Sequence, residues 1–269
     1  MANVLAAGLL AGVSLVALSA TASAATLVGL TADGMLVRMD TESRRASAPV
    51  RVTGANGSLL GIDVRPKDGM LYGVTTAGQI VRIDAANGRA TQVSMLNQRF
   101  ESGGRAVVDF NPVADRLRLM GMSGQNFRVN VDTGEVATDG TLKYALDSSL
   151  SGTMPRITAG AYTNSMQGAT ATQLLTIDTI LGQLNLQAPP NDGVQQMRGR
   201  IGNGLPASVA FDIAASGGAS TGYLLAGNTL HTVNLETGAP TVLGPLANAP
   251  RTEIIDIAVL PGMTTAAAR

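Results

Sequence analysis

"GIDVRPKDGMLYGVTTAGQIVRIDAANG", residues 61–88, decides the fold. Short apolar runs alternate in it with turn signals: "RPKDG" (65–69), "TAG" (76–78) and "DAANG" (84–88). Such spacing predicts strands near Leu59–Val64, Met70–Thr75, Gln79–Asp84 and Arg89–Met95. The pattern then returns. "LVGLTADGMLVRMD" (27–40) matches "LYGVTTAGQIVRID" (71–84) without a gap at an offset of 44. "VDFNPVADRLRLMGMSGQNFRVNVDTG" (108–134) repeats the opening stretch at an offset of 46, with Asp63 on Asp109, Pro66 on Pro112, Arg82 on Arg128 and Gly88 on Gly134. "QLLTIDTILGQLNLQ" (173–187) and "LHTVNLETGAPTVLG" (230–244) keep the phase. Four-stranded units of about 40–50 residues are the signature of a β-propeller blade.

Phase also closes the ring. The first unit begins at Leu27, in register with Leu71, so it lacks its first strand. "EIIDIAVLPG" (253–262) resembles "LGIDVRPKDG" and puts Asp256 on Asp63. It is expected to supply the missing strand beside residues 26–31, which leaves no open sheet edge along the ring. The count is five blades, at 27–53 plus 253–260, 58–96, 105–142, 156–187 and 207–246. Six is the alternative, because 141–155 and 188–206 are long enough to hide strands.

Bulk composition narrows the function. Formal net charge is zero, there is no Trp, and Phe and Tyr number 4 each, so neither a basic field nor a stacking platform for nucleic acid is present. No cysteine excludes disulfides, thiolate catalysis and Cys-ligated metal. Thirty-two glycines and 14% charged residues suit many short strands and tight turns. "VLAAGLLAGVSLVAL" (4–18) followed by "SATASA" (19–24) reads as a secretory signal over residues 1–24, cleaved after Ala24, although no Lys or Arg precedes the apolar run. An uncleaved anchor is the alternative, and the run is short for a span. The expected domain is 25–262, with 263–269 a disordered tail, in a periplasmic or extracellular protein without a membrane span after cleavage.

Site candidates come from the repeat and from its irregularities. Asp63, Asp109, Asp212 and Asp256 share one position in the first strand of their blades, where the fourth blade has "GAYTNS" (160–165). They read either as a channel carboxylate ring for a cation such as Ca²⁺ or as acceptors for local backbone N–H groups. Register transfer places Tyr72 opposite Arg82 and therefore Arg118 opposite Arg128. Two facing guanidinium groups need a negative group between them. Asp109, Asp115 or Asp132 would provide it internally; an anionic ligand held by Arg116, Arg118 and Arg128 would provide it from outside. "QAPPNDGVQQMRGRIGNGLP" (187–206) is the longest irregular stretch, and its Asn191 and Asp192 are ligand-binding candidates on a loop. His231 is the single histidine and cannot build a multi-His site. No nucleophile elbow, zinc-helix pair or phosphate-binding glycine loop occurs.

At "GIDVRPKDGMLYGV", "DFNPVADRLRLM", "GQNFRVNVDTG", "AYTNS", "PPNDG", "AFDI" and "LHTVNLETG" the chain resembles a bacterial family catalogued as domain of unknown function 4394. The resemblance spans roughly 26–260 in one motif order. Where the family pattern reads "QNPPNDG", this chain has Ala188 in place of the Asn. The resemblance implies an exported bacterial protein and carries no activity with it. The first expectation is thus a propeller that binds a ligand or partner without catalysis. The alternatives are a carboxylate-dependent hydrolase or lyase on a polysaccharide, through Asp63, Asp109 or Asp212, and a cation-stabilised structural module.

Overall fold

A computed structural model describes residues 25–207, 209–216 and 218–261. The signal at 1–24 and the tail at 263–269 lie outside the described residues. Five antiparallel-built sheets stand in a ring, a five-bladed β-propeller. Blade 1 is β1 (Thr26–Thr31), β2 (Met35–Asp40), β3 (Arg45–Ala46) and β4 (Val50–Arg51), completed by β22 (Ile254–Val259). Blade 2 is β5 (Leu59–Val64), β6 (Leu71–Thr75), β7 (Gln79–Ile83) and β8 (Ala90–Met95). Blade 3 is β9 (Ala106–Asn111), β10 (Arg116–Gly121), β11 (Asn126–Val129) and β12 (Val136–Thr138). Blade 4 is β14 (Ile157–Tyr162), β15 (Leu174–Asp178), β16 (Gln183–Gln187) and β17 (Val194–Arg200), with β13 (Lys143–Tyr144) added in parallel to β17. Blade 5 is β18 (Ala210–Ser216), β19 (Ala219–Ala226), β20 (Thr229–Val233) and β21 (Pro240–Pro245).

The ring closes as the repeat phase predicts. β22 pairs antiparallel with β1, Gly29 opposite Ile257 and Val28 opposite Ala258. Thus β22, β5, β9, β14 and β18 are the innermost strands, each packed against the next around the channel. The two stretches that left a sixth blade open do hold strands, β13 and β17, but both belong to blade 4. Residues 187–206 are therefore not one irregular loop. A single 3-10 turn at Pro190–Asp192 leads directly into β17.

Period-two alternation builds the core. In blade 2, Leu71, Val81 and Ile83 face blade 1, where they meet Val28, Leu30 and Leu36. Their neighbours Tyr72, Val74 and Ile80 face blade 3, where they meet Phe110, Leu117 and Phe127. Both faces of the inner three strands are thereby covered, so β6 is buried along its whole length and reads as a continuous apolar run. The outermost β8 is exposed at most positions. Five apolar clusters result, one in each seam between blades.

The repeated "D/N-x-x-x-G" turn has a tertiary reason. Gly134 has φ +79 and donates its N–H to Asn130 O at 2.8 Å. A Cβ there would stand 1.7 Å from Met95 O of blade 2. Gly88 repeats the arrangement against Arg51 O of blade 1, at 2.2 Å. Both glycines let the turn of one blade touch the outer backbone of the previous one. Gly134→Ala is expected to destabilise the fold by about 2–4 kcal/mol, because left-handed strain adds to a backbone overlap that no rotamer relieves. Urea melts of the variant measure it; a loss below about 0.5 kcal/mol would contradict this account.

Candidate functional site at the channel

The four repeated aspartates sit on the innermost strands, and their partners lie mostly in the next blade. Asp63 Oδ2 accepts Phe110 N–H at 2.7 Å, and Asp109 Oδ1 accepts Tyr162 N–H at 2.9 Å. Asp212 Oδ2 accepts Val259 N–H at 2.6 Å, and Asp256 Oδ2 accepts Ile62 N–H at 2.8 Å. The second oxygens of Asp63, Asp212 and Asp256 accept the N–H of the following residue. Each carboxylate is thus a latch across a seam: 2 to 3, 3 to 4, 5 to 1 and 1 to 2. The expectation of backbone N–H acceptors is met in kind, but the donors belong to inner strands and not to a local turn. Blade 4 carries no aspartate on β14, so among the described residues its seam with blade 5 has no such aspartate latch.

The latches converge. One oxygen from each of Asp63, Asp109 and Asp212 lies within 4.8 Å of the others, and all three residues are buried. Burial is the largest cause that pushes the pKa of all four aspartates upward. Asp63, Asp109 and Asp256 rise well above the ordinary 3.8, and Asp212 rises to about 6. The neighbouring carboxylates add to the shift of Asp63 and Asp109, while the amide donors oppose it. The folded chain therefore keeps protons that the unfolded chain has already lost. Stability from these groups is complete below about pH 4 and falls as pH rises through 6. Asp115 and Asp132, lowered chiefly by Arg65, act in the opposite sense and lose their contribution below pH 4. The urea midpoint is expected to be higher at pH 5 than at pH 7.5. A midpoint that rises steadily between these two values would contradict the assignment.

Asp63 and Asp212 open onto a cavity of about 1070 Å³ at the C-terminal ends of the inner strands. Blade 5 contributes Ile213, Ala214 and Ala215; blade 1 contributes Val259 and Leu260 with Ala25 and Arg38. Blade 2 adds Val64 and Lys67, and Met166 and Gln167 after β14 cover it from blade 4. Sequence reasoning missed this cavity. Its walls come from four blades that meet only through ring closure.

The arginine candidates lie elsewhere. Arg118 does face Arg128 across β10 and β11. The negative group between them is Asp139: Arg118 Nη1 donates to its Oδ2 at 2.6 Å and Arg128 Nε to the same atom at 2.8 Å. Arg118 also donates to Asn126 Oδ1, to Tyr162 Oη and to Asn191 Oδ1. Asn191 and Asp192 are both exposed, and Asn191 Oδ1 accepts from Arg118. Arg116 is exposed and donates to Ala114 O and Asp115 O, apart from this group. Of the three carboxylates expected to serve the pair, none does. Asp109 latches blade 4, and Asp115 and Asp132 clamp Arg65 of blade 2 through paired contacts of 2.7–2.9 Å. Tyr72 stands opposite Arg82 in register, yet the guanidinium over its ring is that of Arg65, 5.8 Å from the centroid. His231 lies on β20, its Nδ1 3.1 Å from Thr229 O.

Ring and channel together define a five-bladed propeller with a carboxylate-floored mouth. The chain belongs to the family described as Domain of unknown function (DUF4394), whose profile matches residues 35–258. A search of curated proteins finds no match. Among solved structures, a protein of unknown function from Bacteroides thetaiotaomicron VPI-5482 is similar at 17% identity and a TM-score of 0.52. The likeness covers 88% of this chain and 65% of that one, so the chain spans about two thirds of its neighbour's length. An auxiliary nutrient binding protein from Bacteroides ovatus ATCC 8483 gives 14% identity and a TM-score of 0.43, covering 73% of this chain and 55% of that one. The β-propeller domain of Cps50 (Swd1) from Myceliophteria thermophila gives 14% and 0.45, covering 84% and 73%. The first of these likenesses supports the fold. No helix among the described residues is long and apolar enough to cross a membrane.

Proposed function

We propose that this is an exported binding protein whose channel mouth takes a small molecule, without a reaction of its own. The cavity of about 1070 Å³ above Asp63 and Asp212 carries the reading. It matches the upper end of small-molecule pockets, which hold about 300–1,000 Å³, and its concave walls mix polar and apolar side chains. The carboxylates at its base argue against the hydrolase alternative. Asp63 and Asp212 each have both oxygens engaged by backbone amides across or beside a seam, which fixes the blades and ties up these two carboxylates, while Asp109 is engaged through its Oδ1. The export of the protein rests on the apolar leader and small-residue cleavage pattern of residues 4–24.

A thermal-shift screen of a small-molecule library tests the reading, run in parallel on the wild type and on Ala215→Trp. Ala215 lines the cavity but belongs to none of the apolar seam clusters, so the variant should melt as the wild type does. A ligand at about 100-fold its Kd adds roughly 2.7 kcal/mol. Compounds that stabilise the wild type and not Ala215→Trp support the site; a screen in which no compound separates the two proteins removes it.

The convergence of Asp63, Asp109 and Asp212 oxygens within 4.8 Å supports a second reading, a cation-stabilised structural module. The residues fit a hard cation in kind, since all are oxygen donors. Melting with 5 mM-scale EDTA against excess Ca²⁺, on the order of ten times the cation level of the preparation, decides it: a midpoint unchanged between the two excludes a structural cation.

A further inference from the structure

The channel-mouth reading above underlies this inference, which concerns the chemistry of the occupant. Asp63 and Asp212 reach the cavity although the residues are only 3% and 4% exposed. Asp109 stands beside them. None of the ion pairs among the described residues includes any of these three. Among the described residues, Asp63 and Asp212 are held by neutral amide donors, each oxygen accepting one N–H. The acidic floor is therefore unanswered by a cation among the described residues, and Asp212, raised to about 6, carries its charge at pH 8. Val64, Ile213, Ala214, Val259 and Leu260 give the cavity an apolar part, alongside polar Ser165, Gln167, Ser216 and Thr221. Two cations, Arg38 and Lys67, and a further carboxylate, Asp68, also line the cavity; Lys67 is already engaged by Asp115 at 3.0 Å, and Asp68 accepts from Tyr72 Oη.

We propose that the cavity takes a molecule with a single protonated amine on an apolar body, the ammonium seated between Asp63 and Asp212 and the body against the walls of blades 1 and 5. An ammonium offers three N–H donors and one full charge, which suits carboxylate lone pairs in a low-dielectric floor. A carboxylate ligand would meet like charge there. A bare divalent cation fits less well: Ca²⁺ takes six to eight oxygens in the usual case, and the floor's two cavity-lining carboxylates already accept four N–H bonds. It would also leave most of a cavity of about 1070 Å³ and its apolar wall unfilled. A polyamine would place its second charge beside Arg38 and Lys67. One amine on a greasy body satisfies floor, wall and rim together.

Isothermal titration of the purified protein with hexylamine, 1-hexanol and hexanoate, at pH 8 and low salt, tests the proposal. The three probes share an apolar body and differ in the head. Hexylamine is expected to bind at least tenfold more tightly than either of the others. Its affinity should fall at least tenfold from pH 8 to pH 5, because protonated carboxyls no longer hold an ammonium. Asp63→Asn with Asp212→Asn should abolish the preference for the amine. Should that variant fail to fold, the wild-type selectivity and pH series still decide. Equal binding of hexanol and hexylamine would overturn the amine class while leaving the cavity as a binding site. Binding of Ca²⁺ alone would overturn it in favour of an inorganic ion. Binding of none of the three probes would also overturn it, and the library comparison with Ala215→Trp would then say separately whether the cavity binds anything.

Discussion

A chain ending at residue 252 is expected not to fold cooperatively. Deleting 253–269 removes β22, the innermost strand of blade 1 and the partner of β1 along five register pairs. Buried Ile254, Ile257 and Ala258 leave the seam with blade 5 and the seam with blade 2. Burial of two isoleucines alone is worth about 3–6 kcal/mol, at roughly 1.5–3 each. The strand also satisfies groups that cannot satisfy themselves. Ala32 N–H donates to Glu253 O at 2.9 Å, Ile62 N–H to Asp256 Oδ2 at 2.8 Å, and Asp212 accepts from Val259 at 2.6 Å. Net stability of a domain is about 5–15 kcal/mol, so this combined loss consumes it. The exposed edge of β1 adds an aggregation surface. Far-UV circular dichroism and urea titration of the truncated chain are the measurement. A soluble monomer with a cooperative transition within a few degrees of the wild type would show that the ring does not depend on its closing strand.

Arg118→Ala is the second large effect. The side chain is 1% exposed and joins blades 3 and 4 through Asp139, Asn126, Tyr162 and Asn191. Its removal leaves Asp139, itself 5% exposed, with only the partly exposed Arg128, and leaves Asn191 without its donor. Breaking one side of a buried ion pair costs about 3–5 kcal/mol. For a domain of this size that lowers Tm by on the order of 10 °C. Arg128→Ala should cost far less, below about 1 kcal/mol, since that guanidinium is 39% exposed and solvent screens it. The contrast between the two variants is the informative quantity. Equal losses would mean that the two arginines share Asp139 evenly and that burial of Arg118 contributes nothing.

Elements that repeat were legible, and elements that depart from the repeat were not. The strands of blade 2 stand within a residue of their expected bounds, because the turn residues at 65–69, 76–78 and 84–88 act locally. The glycine at the end of "DAANG" was visible as a repeat, but its reason, contact with the outer strand of the previous blade, was not. β17 escaped notice because "VQQMRGR" is an outer strand with little burial and no clean alternation. Asp139 escaped because it reaches the Arg118–Arg128 pair from the segment just beyond β12, whereas Asp115 and Asp132 were drawn by Arg65 of the neighbouring blade. Register gave the conflict between like charges, and only packing across seams gave its resolution.

By itself the sequence determined the repeat, the five sheets and the closing strand, because side-chain alternation and turn chemistry are written within each unit of some 45 residues. It also placed four aspartates at one equivalent position. Only the tertiary structure decided that these carboxylates latch neighbouring blades, that three of them converge within 4.8 Å, and that two open onto a cavity. The physical reason is distance along the chain. Asp63 and Asp212 are separated in sequence by two intervening inner strands, β9 and β14, and they become neighbours only when hydrophobic seams bend the row of sheets into a circle.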